Sequence, residues 1–425
     1  MRGGLLIVAG TLAGNVLGVV RVAVTAYLLG THSRADSLAV AIGPMDALNA
    51  VLINSMVFAF VPMLAAREGD RRVALFLELR RCFRWVFSAV ALAVILAAGP
   101  LMRILAPGLD AQYFPAAVMN LRILALSSLA AGFAALHCAV LYTERRFGPT
   151  VFYSAALNLG TAVGALALWK LLGVYAFVIG YSVGAWAQLA IVSIASRPFV
   201  GGRTAPGGEV HWRDLLVKPA FFLIYAAGLA VNITFTRAYA TQAGPGMAAA
   251  IDYCMRGVSV PLALIVNPVT NSLLPEIARL RNLLRLREAF RLIDRTTALA
   301  ALAVVAGCGF AIVFRQPVIA LLFQRGSFTA ESTQLVSAVF LGLGPSIVGW
   351  SLLEIACRSL FALDRPWLPV LAAFVPLLFN AIFTVRLGNF QPEWIGAGAS
   401  LGLLAGFAAL FSLLRVRRRR WLEES

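Results

Sequence analysis

Charge is scarce in this chain, and negative charge is scarcest: 13% of the 425 residues are charged, with 36 lysines and arginines against 19 aspartates and glutamates. Hydrophobic residues make up 60% and the mean hydropathy is +0.85. A soluble protein of this size has too little polar surface to hide so much apolar side chain, so a soluble fold is excluded. Histidine occurs only three times, at distant positions, and no cluster of His, Asp, Glu or Ser forms. Membrane-embedded transferases and proteases need such clusters, so no enzyme and no catalytic residue is expected. A glycine-rich phosphate loop is lacking, so any transport is driven by a gradient, a membrane potential or a partner. Five cysteines, Cys82, Cys138, Cys254, Cys308 and Cys357, stand singly. Their spacing fits neither a disulfide framework nor a metal site, and no metal or cofactor is expected. Long loops are missing too: none exceeds roughly 20 residues, which leaves no room for a soluble domain.

Apolar stretches fill almost all the rest. They fall near residues 5–29, 37–64, 85–106, 116–141, 149–170, 174–196, 216–238, 248–273, 297–322, 333–361, 367–386 and 394–414. At roughly 20 residues per span these make about twelve transmembrane helices. The first runs too long for a secretory signal and contains Arg21, so it reads as a retained helix.

The net charge of +17 and pI near 10.7 do not signal nucleic acid, because arginines gather in every second connection. One face carries Arg67 to Arg84, then Arg145 and Arg146, then Arg197 to Lys218, Arg279 to Arg295, Arg365, and Arg415 to Arg420. Cationic loops stay in the cytoplasm, which places both termini there and offers the arginines to anionic membrane lipids.

Six spans lie on either side of a Gly/Pro-rich segment, Gly201 to Gly208. This divides the chain into a lobe at 1–200, a linker at 201–214 and a lobe with a basic tail at 215–425. At a shift of about 213 residues, Phe60-Val61-Pro62-Met63-Leu64-Ala65-Ala66-Arg67 resembles Leu273-Leu274-Pro275-Glu276-Ile277-Ala278-Arg279. An even number of spans per half makes the repeat parallel, and two such bundles about a pseudo-two-fold axis would enclose a central cavity. Arg71 to Arg84 and Arg281 to Arg295 read as amphipathic helices lying on the headgroups, with Leu75, Leu77 and Phe83, or Leu283, Leu284, Phe290 and Ile293, toward the acyl chains. Gly14-x-x-x-Gly18, Gly160-x-x-x-Gly164 and Gly180-x-x-x-Gly184 are read as packing seams.

Ionisable groups within the spans are the best pointers to function, because the hydrocarbon core penalises them. Arg21 lies deep in the first span. Asp252 and Arg256 share one face of the eighth, and Glu354 lies in the tenth. Arg122 and Arg237 sit nearer the outer ends, within reach of water. Asp36 opens the second span, and Asp46 lies about three turns deeper. Arg21 and Arg256 stand out, since a guanidinium binds phosphate oxygens as a bidentate fork. Pairing of Arg21 with Asp46 or Asp36, and of Arg256 with Asp252, is the structural alternative. His137 reads as a hydrogen-bonded packing residue.

Three blocks carry a family resemblance: Val16-Leu17-Gly18-Val19-Val20-Arg21 with Asp36 and Phe60 to Ala65; Tyr253, Arg256 and Pro261 with Leu273-Leu274-Pro275; and Leu322-Phe323-Gln324-Arg325-Gly326-Ser327-Phe328-Thr329. In this order they resemble the MurJ (MviN) lipid II flippases of the multidrug/oligosaccharidyl-lipid/polysaccharide exporter superfamily. The resemblance implies two six-helix lobes in a V around a cationic cavity, and alternating access that carries a polyprenyl-pyrophosphate-linked glycan across the inner membrane. It implies that Arg21 and Arg256 hold the pyrophosphate and that Asp36 is an outer-gate acid. Asn15 and Asn49 stand where the family usually has arginines, and Ser259 where it has an acid. Typical members also carry two further helices. Asn15, Asn49 and Arg237 are candidate replacement donors. A flippase for another polyprenyl-linked oligosaccharide, a non-transporting scaffold that recruits envelope-synthesis proteins, and a cationic-drug exporter are the alternatives. Arginines in the cavity oppose the last.

Overall fold

A computed structural model describes residues 2–201, 212–387 and 391–423. Most of the expected linker, including nearly all of Gly201 to Gly208, lies outside the described residues. Among the described residues the chain is helical throughout, with no strand. The helices are α1 (Arg2–Leu29), α2 (Ser33–Ala65), α3 (Gly69–Leu105), α4 (Phe114–Thr143), α5 (Phe147–Leu172), α6 (Tyr175–Val200), α7 (Trp212–Ala240) and α8 (Met247–Pro261). A π-helical turn, Leu262–Val266, follows. Then come α9 (Asn267–Asn282), α10 (Leu286–Val313), α11 (Arg315–Phe323), α12 (Ala330–Leu343), α13 (Ser346–Ala362), α14 (Trp367–Leu387), α15 (Pro392–Ile395) and α16 (Ala397–Glu423).

Each expected apolar span lies on helix. Among the described residues ten helices are long and apolar enough to cross a membrane, and eleven if α12 and α13, bent by 41°, count as one broken span. The expected span at 248–273 is α8 and the start of α9, interrupted by the π turn. Pro261, which has no N–H to donate, sits immediately before that turn, and helix widening accommodates the missing bond. Leu96, Ile104, Leu302, Val313 and Leu321 are exposed on the outside of these helices. In water such a surface would aggregate; against acyl chains it is at home.

Contacts divide the chain into two units, Met1–Leu223 and Ile224–Ser425, the division falling inside α7. In unit 1, α4 is the hub, packed on α2, α3 and α6. Small residues allow it: Ala130, Ala131, Ala134, Ala135 and Ala139 are buried, and a Cβ on Gly132 would strike the Phe87 ring. In unit 2, α13 is the hub, in contact with α8, α9, α10, α14 and α16. Both hubs derive from the fourth expected span of their half.

Because lipid is as apolar as leucine, helix association in a membrane rests on close packing rather than on the hydrophobic effect. The α5–α6 seam shows this. A Cβ on Gly164 would lie 2.5 Å from Gly180 Cα, and one on Gly160 2.7 Å from Gly184 Cα, so the two GxxxG motifs pack against each other. Unit 2 has a stripe that the sequence reading passed over, Gly398, Gly402 and Gly406 on α16. A Cβ on Gly402 would meet the Pro376 carbonyl of α14 at 2.4 Å.

The two amphipathic stretches are not separate surface helices. Residues 71–84 are the opening turns of the continuous α3, and Leu75, Phe76 and Leu79 are buried in a core with Phe60, Leu64, Leu136 and Val140. Arg287 to Arg295 likewise open α10, with Phe290 and Ile293 buried. The buried part of each face found protein neighbours, while Leu283 and Leu284, also expected toward acyl chains, are exposed in the turn between α9 and α10.

At the arginine-rich ends, α4, α9 and α13 stop in the same way. Arg145, Leu284 and Asp364 adopt left-handed backbone (φ 55°, 57° and 61°). The next residue, always arginine, then donates its N–H back to Leu141, Leu280 or Leu360 at 2.8 to 3.0 Å. This is a Schellman closure made without glycine. Arg72 secures the same end of unit 1: Nε donates to the carbonyls of Leu64 (3.1 Å) and Arg67 (2.8 Å), and its guanidinium pairs with Glu144.

Candidate functional site

Arg21 is a cation in the middle of a spanning helix, and the structure gives it a partner. Its Nη2 donates to Asp46 Oδ2 of α2 at 2.9 Å. Tyr181 of α6, fully buried, donates its hydroxyl to the other oxygen, Asp46 Oδ1, at 2.6 Å. Asn49, one turn beyond Asp46 and 6% exposed, donates from Nδ2 to Tyr181 Oη at 3.1 Å and to Ser127 Oγ of α4 at 3.3 Å. One polar network thus joins α1, α2, α4 and α6. The Asn49 carbonyl oxygen is buried with no hydrogen-bond partner among the described residues, a place where a donor would be welcome.

The pairing leaves the Arg21 side chain largely covered, at 11% of its surface, while that of Asp46 keeps 33%. Asn15 is half-buried on α1, about 120° around the helix from Arg21. Asp36 is 3% exposed in the first turn of α2, where the positive end of the helix dipole favours an acid.

In unit 2, Arg256 and Asp252 lie on one face of α8, both half-buried. Asp252 accepts from Arg237 Nε of α7 at 2.5 Å. Arg237 was expected within reach of water; it is 8% exposed and held by this carboxylate. A charge-assisted bond inside the protein competes well with snorkelling when an acid lies one helix away. Ser259, at the position of the expected acid, bonds back to the Arg256 carbonyl at 2.9 Å.

The motif around Gly326 has a packing role that its sequence did not show. Phe323 and Phe328 enclose the Tyr253 ring of α8, with all three centroid distances between 5.5 and 5.9 Å. Tyr253 directly follows Asp252, so the motif fixes the helix that carries Asp252 and Arg256. His137 bonds Ser196 at 2.7 Å and packs edge-on against Phe76, a packing histidine as read.

Two residues of a further cluster escaped the sequence reading. Glu354 of α13 accepts from Arg358 Nε at 2.6 Å on one oxygen and from the Tyr225 hydroxyl of α7 at 2.6 Å on the other. The i, i+4 spacing of Glu354 and Arg358 was the available signal. Nothing local marks Tyr225.

Comparison with known proteins bears on what such a site handles. A family model described as Lipid II flippase MurJ matches residues 25–423. The match begins after Arg21. The lipid II flippase MurJ of Burkholderia cenocepacia is 25% identical, the alignment covering 98% of this chain and 83% of that protein. The probable lipid II flippase MurJ of Rhizobium meliloti is also 25% identical, over 97% of this chain and 79% of that one. Among solved structures, a lipid II flippase MurJ in an inward closed conformation superposes with a TM-score of 0.83 at 18% identity, covering 97% of this chain and 87% of its own. An inward-facing multidrug resistance MATE transporter of the MOP superfamily gives 0.75 at 15% identity, covering 96% of both chains. At these identities the structures speak to the fold alone. The family match over nearly the whole length goes further: this multi-pass membrane protein belongs to the MurJ lipid II flippase family.

Proposed function

We propose that the chain moves lipid II, a polyprenyl-pyrophosphate-linked glycan, from the inner to the outer leaflet of the bacterial inner membrane. Family membership over residues 25–423 supports the activity. The observation that carries the mechanism is Arg21, a cation kept in the middle of a spanning helix and poised on Asp46, whose side chain keeps a third of its surface open. A guanidinium held this way is charged, oriented and ready for a phosphate oxygen.

In this reading Arg21 and Arg256 contact the headgroup phosphates and Asn15 adds a donor. Asn49 and Arg237 act from behind, since the Asn49 amide hydrogens are committed to Tyr181 and Ser127 and Arg237 is engaged by Asp252. Asp36 serves as the gate acid. The isoprenoid stays in lipid while the binding residues are exposed alternately to the two sides. Each half of the chain supplies one six-span lobe. Both termini are cytoplasmic, as the arginine-bearing helix ends support. Those arginines meet anionic headgroups.

A flippase for a different polyprenyl-linked oligosaccharide is the second reading. Asn49 favours it: a buried amide replaces an expected arginine, so one phosphate partner fewer is offered.

The test is translocation of lipid II in cells depleted of their own flippase, comparing the wild type with Arg21→Ala and Arg256→Ala at matched membrane levels. Restoration by the wild type and failure of both variants is expected. A well-inserted wild type that moves no lipid II would shift the assignment to another polyprenyl-linked glycan or to a scaffold that recruits envelope-synthesis proteins.

A further inference from the structure

Each unit contains one carboxylate whose two oxygens are divided between a tyrosine and an arginine. In unit 1, Tyr181 holds Asp46 Oδ1 at 2.6 Å and Arg21 holds Oδ2 at 2.9 Å. In unit 2, Tyr225 holds Glu354 Oε2 at 2.6 Å and Arg358 holds Oε1 at 2.6 Å. Both tyrosines are buried; the Arg21 side chain is largely covered at 11%, whereas that of Arg358 keeps 27% of its surface.

The surroundings of the second cluster show why it is more than a brace. The helix that carries it, α13, is the buried hub of unit 2. Apart from Val348, its partly exposed residues are Trp350, Glu354, Arg358 and Phe361, one stripe at helical spacing. Most other positions on α13 are buried. The charged pair lies along the main stripe from which α13 can be reached.

We propose that Arg358, Glu354 and Tyr225 form a second phosphate-binding station, at which the pyrophosphate of a polyprenyl-linked substrate displaces the Glu354 carboxylate from Arg358. The proposal rests on the substrate reading above. Carboxylate and phosphate present the same oxygen geometry to a guanidinium, so one exchanges for the other without leaving Arg358 bare in a low-dielectric setting. Tyr225 keeps hold of the carboxylate while it is displaced. The carboxylate then competes for the arginine again, which drives release. A cation is a poor occupant, because both Glu354 oxygens are already taken and Arg358 stands beside them.

The station's place along the route follows from the helices. Arg358 lies about 6 Å before the end of α13. There Arg281 of α9 donates to the Ala362 carbonyl at 3.0 Å, which sets Arg358 close to the arginine-rich helix ends. Arg256 lies about 14 Å along α8 from its opposite, arginine-poor end. Arg358 is therefore the earlier contact and Arg256 the later one for a headgroup moving outward.

The experiment measures binding of a short-chain polyprenyl pyrophosphate, and separately of inorganic pyrophosphate, to the full-length protein in phosphatidylcholine nanodiscs. Glu354→Gln removes the competitor and is expected to bind the lipid pyrophosphate about tenfold more tightly, with slower turnover in transport. Arg358→Lys keeps the charge pair but loses the fork; it is expected to bind at least about fivefold more weakly at an unchanged melting temperature. Wild-type affinity in Arg358→Lys, or no gain in Glu354→Gln, would reduce the cluster to a structural ion pair and overturn the proposal. If Glu354→Gln does not fold, Arg358→Lys decides alone. Should only inorganic pyrophosphate show the differences, the site takes a free anion and the lipid-borne substrate is wrong for it. Loss of binding in Arg21→Ala with wild-type behaviour at 354 and 358 removes the station and leaves the substrate reading standing. A wild type that binds no polyprenyl pyrophosphate removes both.

Discussion

The first two spans of each unit are joined by an arginine–aspartate pair, but at different depths. From Arg21 to Leu29, the end of α1, is about 12 Å, and Asp46 lies about 20 Å into α2. From Arg237 to Ala240, the end of α7, is about 4 Å, and Asp252 lies about 8 Å into α8. The shallow pair sits where water and headgroups would otherwise solvate it, and it fastens α7 to α8. The deep pair sits where desolvation is costliest, so a purely structural role is a weak reason to keep it. On the proposed function the same bond does two jobs, and depth separates a fastening from a substrate contact.

The comparison breaks most visibly in transport. Arg21→Ala is expected to lower the lipid II translocation rate at least about tenfold, since each charge-assisted contact to phosphate contributes about 1.5 to 3 kcal/mol. Arg237→Ala is expected to keep most of the rate per folded molecule. Equal losses in a cell-based translocation assay would erase the distinction drawn from depth.

Next in size are the glycine seams. Gly164→Leu in unit 1 and Gly402→Leu in unit 2 push a side chain into backbone, and each is expected to cost about 3 kcal/mol or more, read as melting in detergent. Tolerance of either substitution would mean that one unit does not rely on its seam. Arg237→Ala leaves the half-buried Asp252 without that partner and is expected to destabilise by about 1 to 2 kcal/mol in the same assay. The smallest effect has the opposite sign. Leu284 is exposed with φ 57°, so Leu284→Gly is expected to raise stability by about 1 kcal/mol.

What the sequence made legible follows from range. Apolar runs are local, and each expected span lies on helix. Arg21 and Arg256 were visible because an arginine in a spanning run is conspicuous wherever it occurs. Tyr181 was not: it lies 135 residues from Asp46, and a tyrosine within an apolar run looks like any other packing residue. The amphipathic stretches were misplaced for a related reason. Periodicity shows that one face of residues 71–84 is apolar, but only the fold shows that Phe60, Leu136 and Val140 cover it. The stripe Gly398, Gly402 and Gly406 was legible by the rule that found the other GxxxG motifs and was passed over. The π turn after Pro261 depends on how the helix repairs a missing bond, which composition does not specify.

The most direct test of the central claim is the initial rate of lipid II translocation in proteoliposomes containing the purified chain, for the wild type, Arg21→Lys and Arg21→Ala. The account expects transport by the wild type, a partial loss with Lys, which keeps the charge without the fork, and background with Ala. Equal rates for all three would contradict it, because the membrane arginine would then have no part in moving the headgroup.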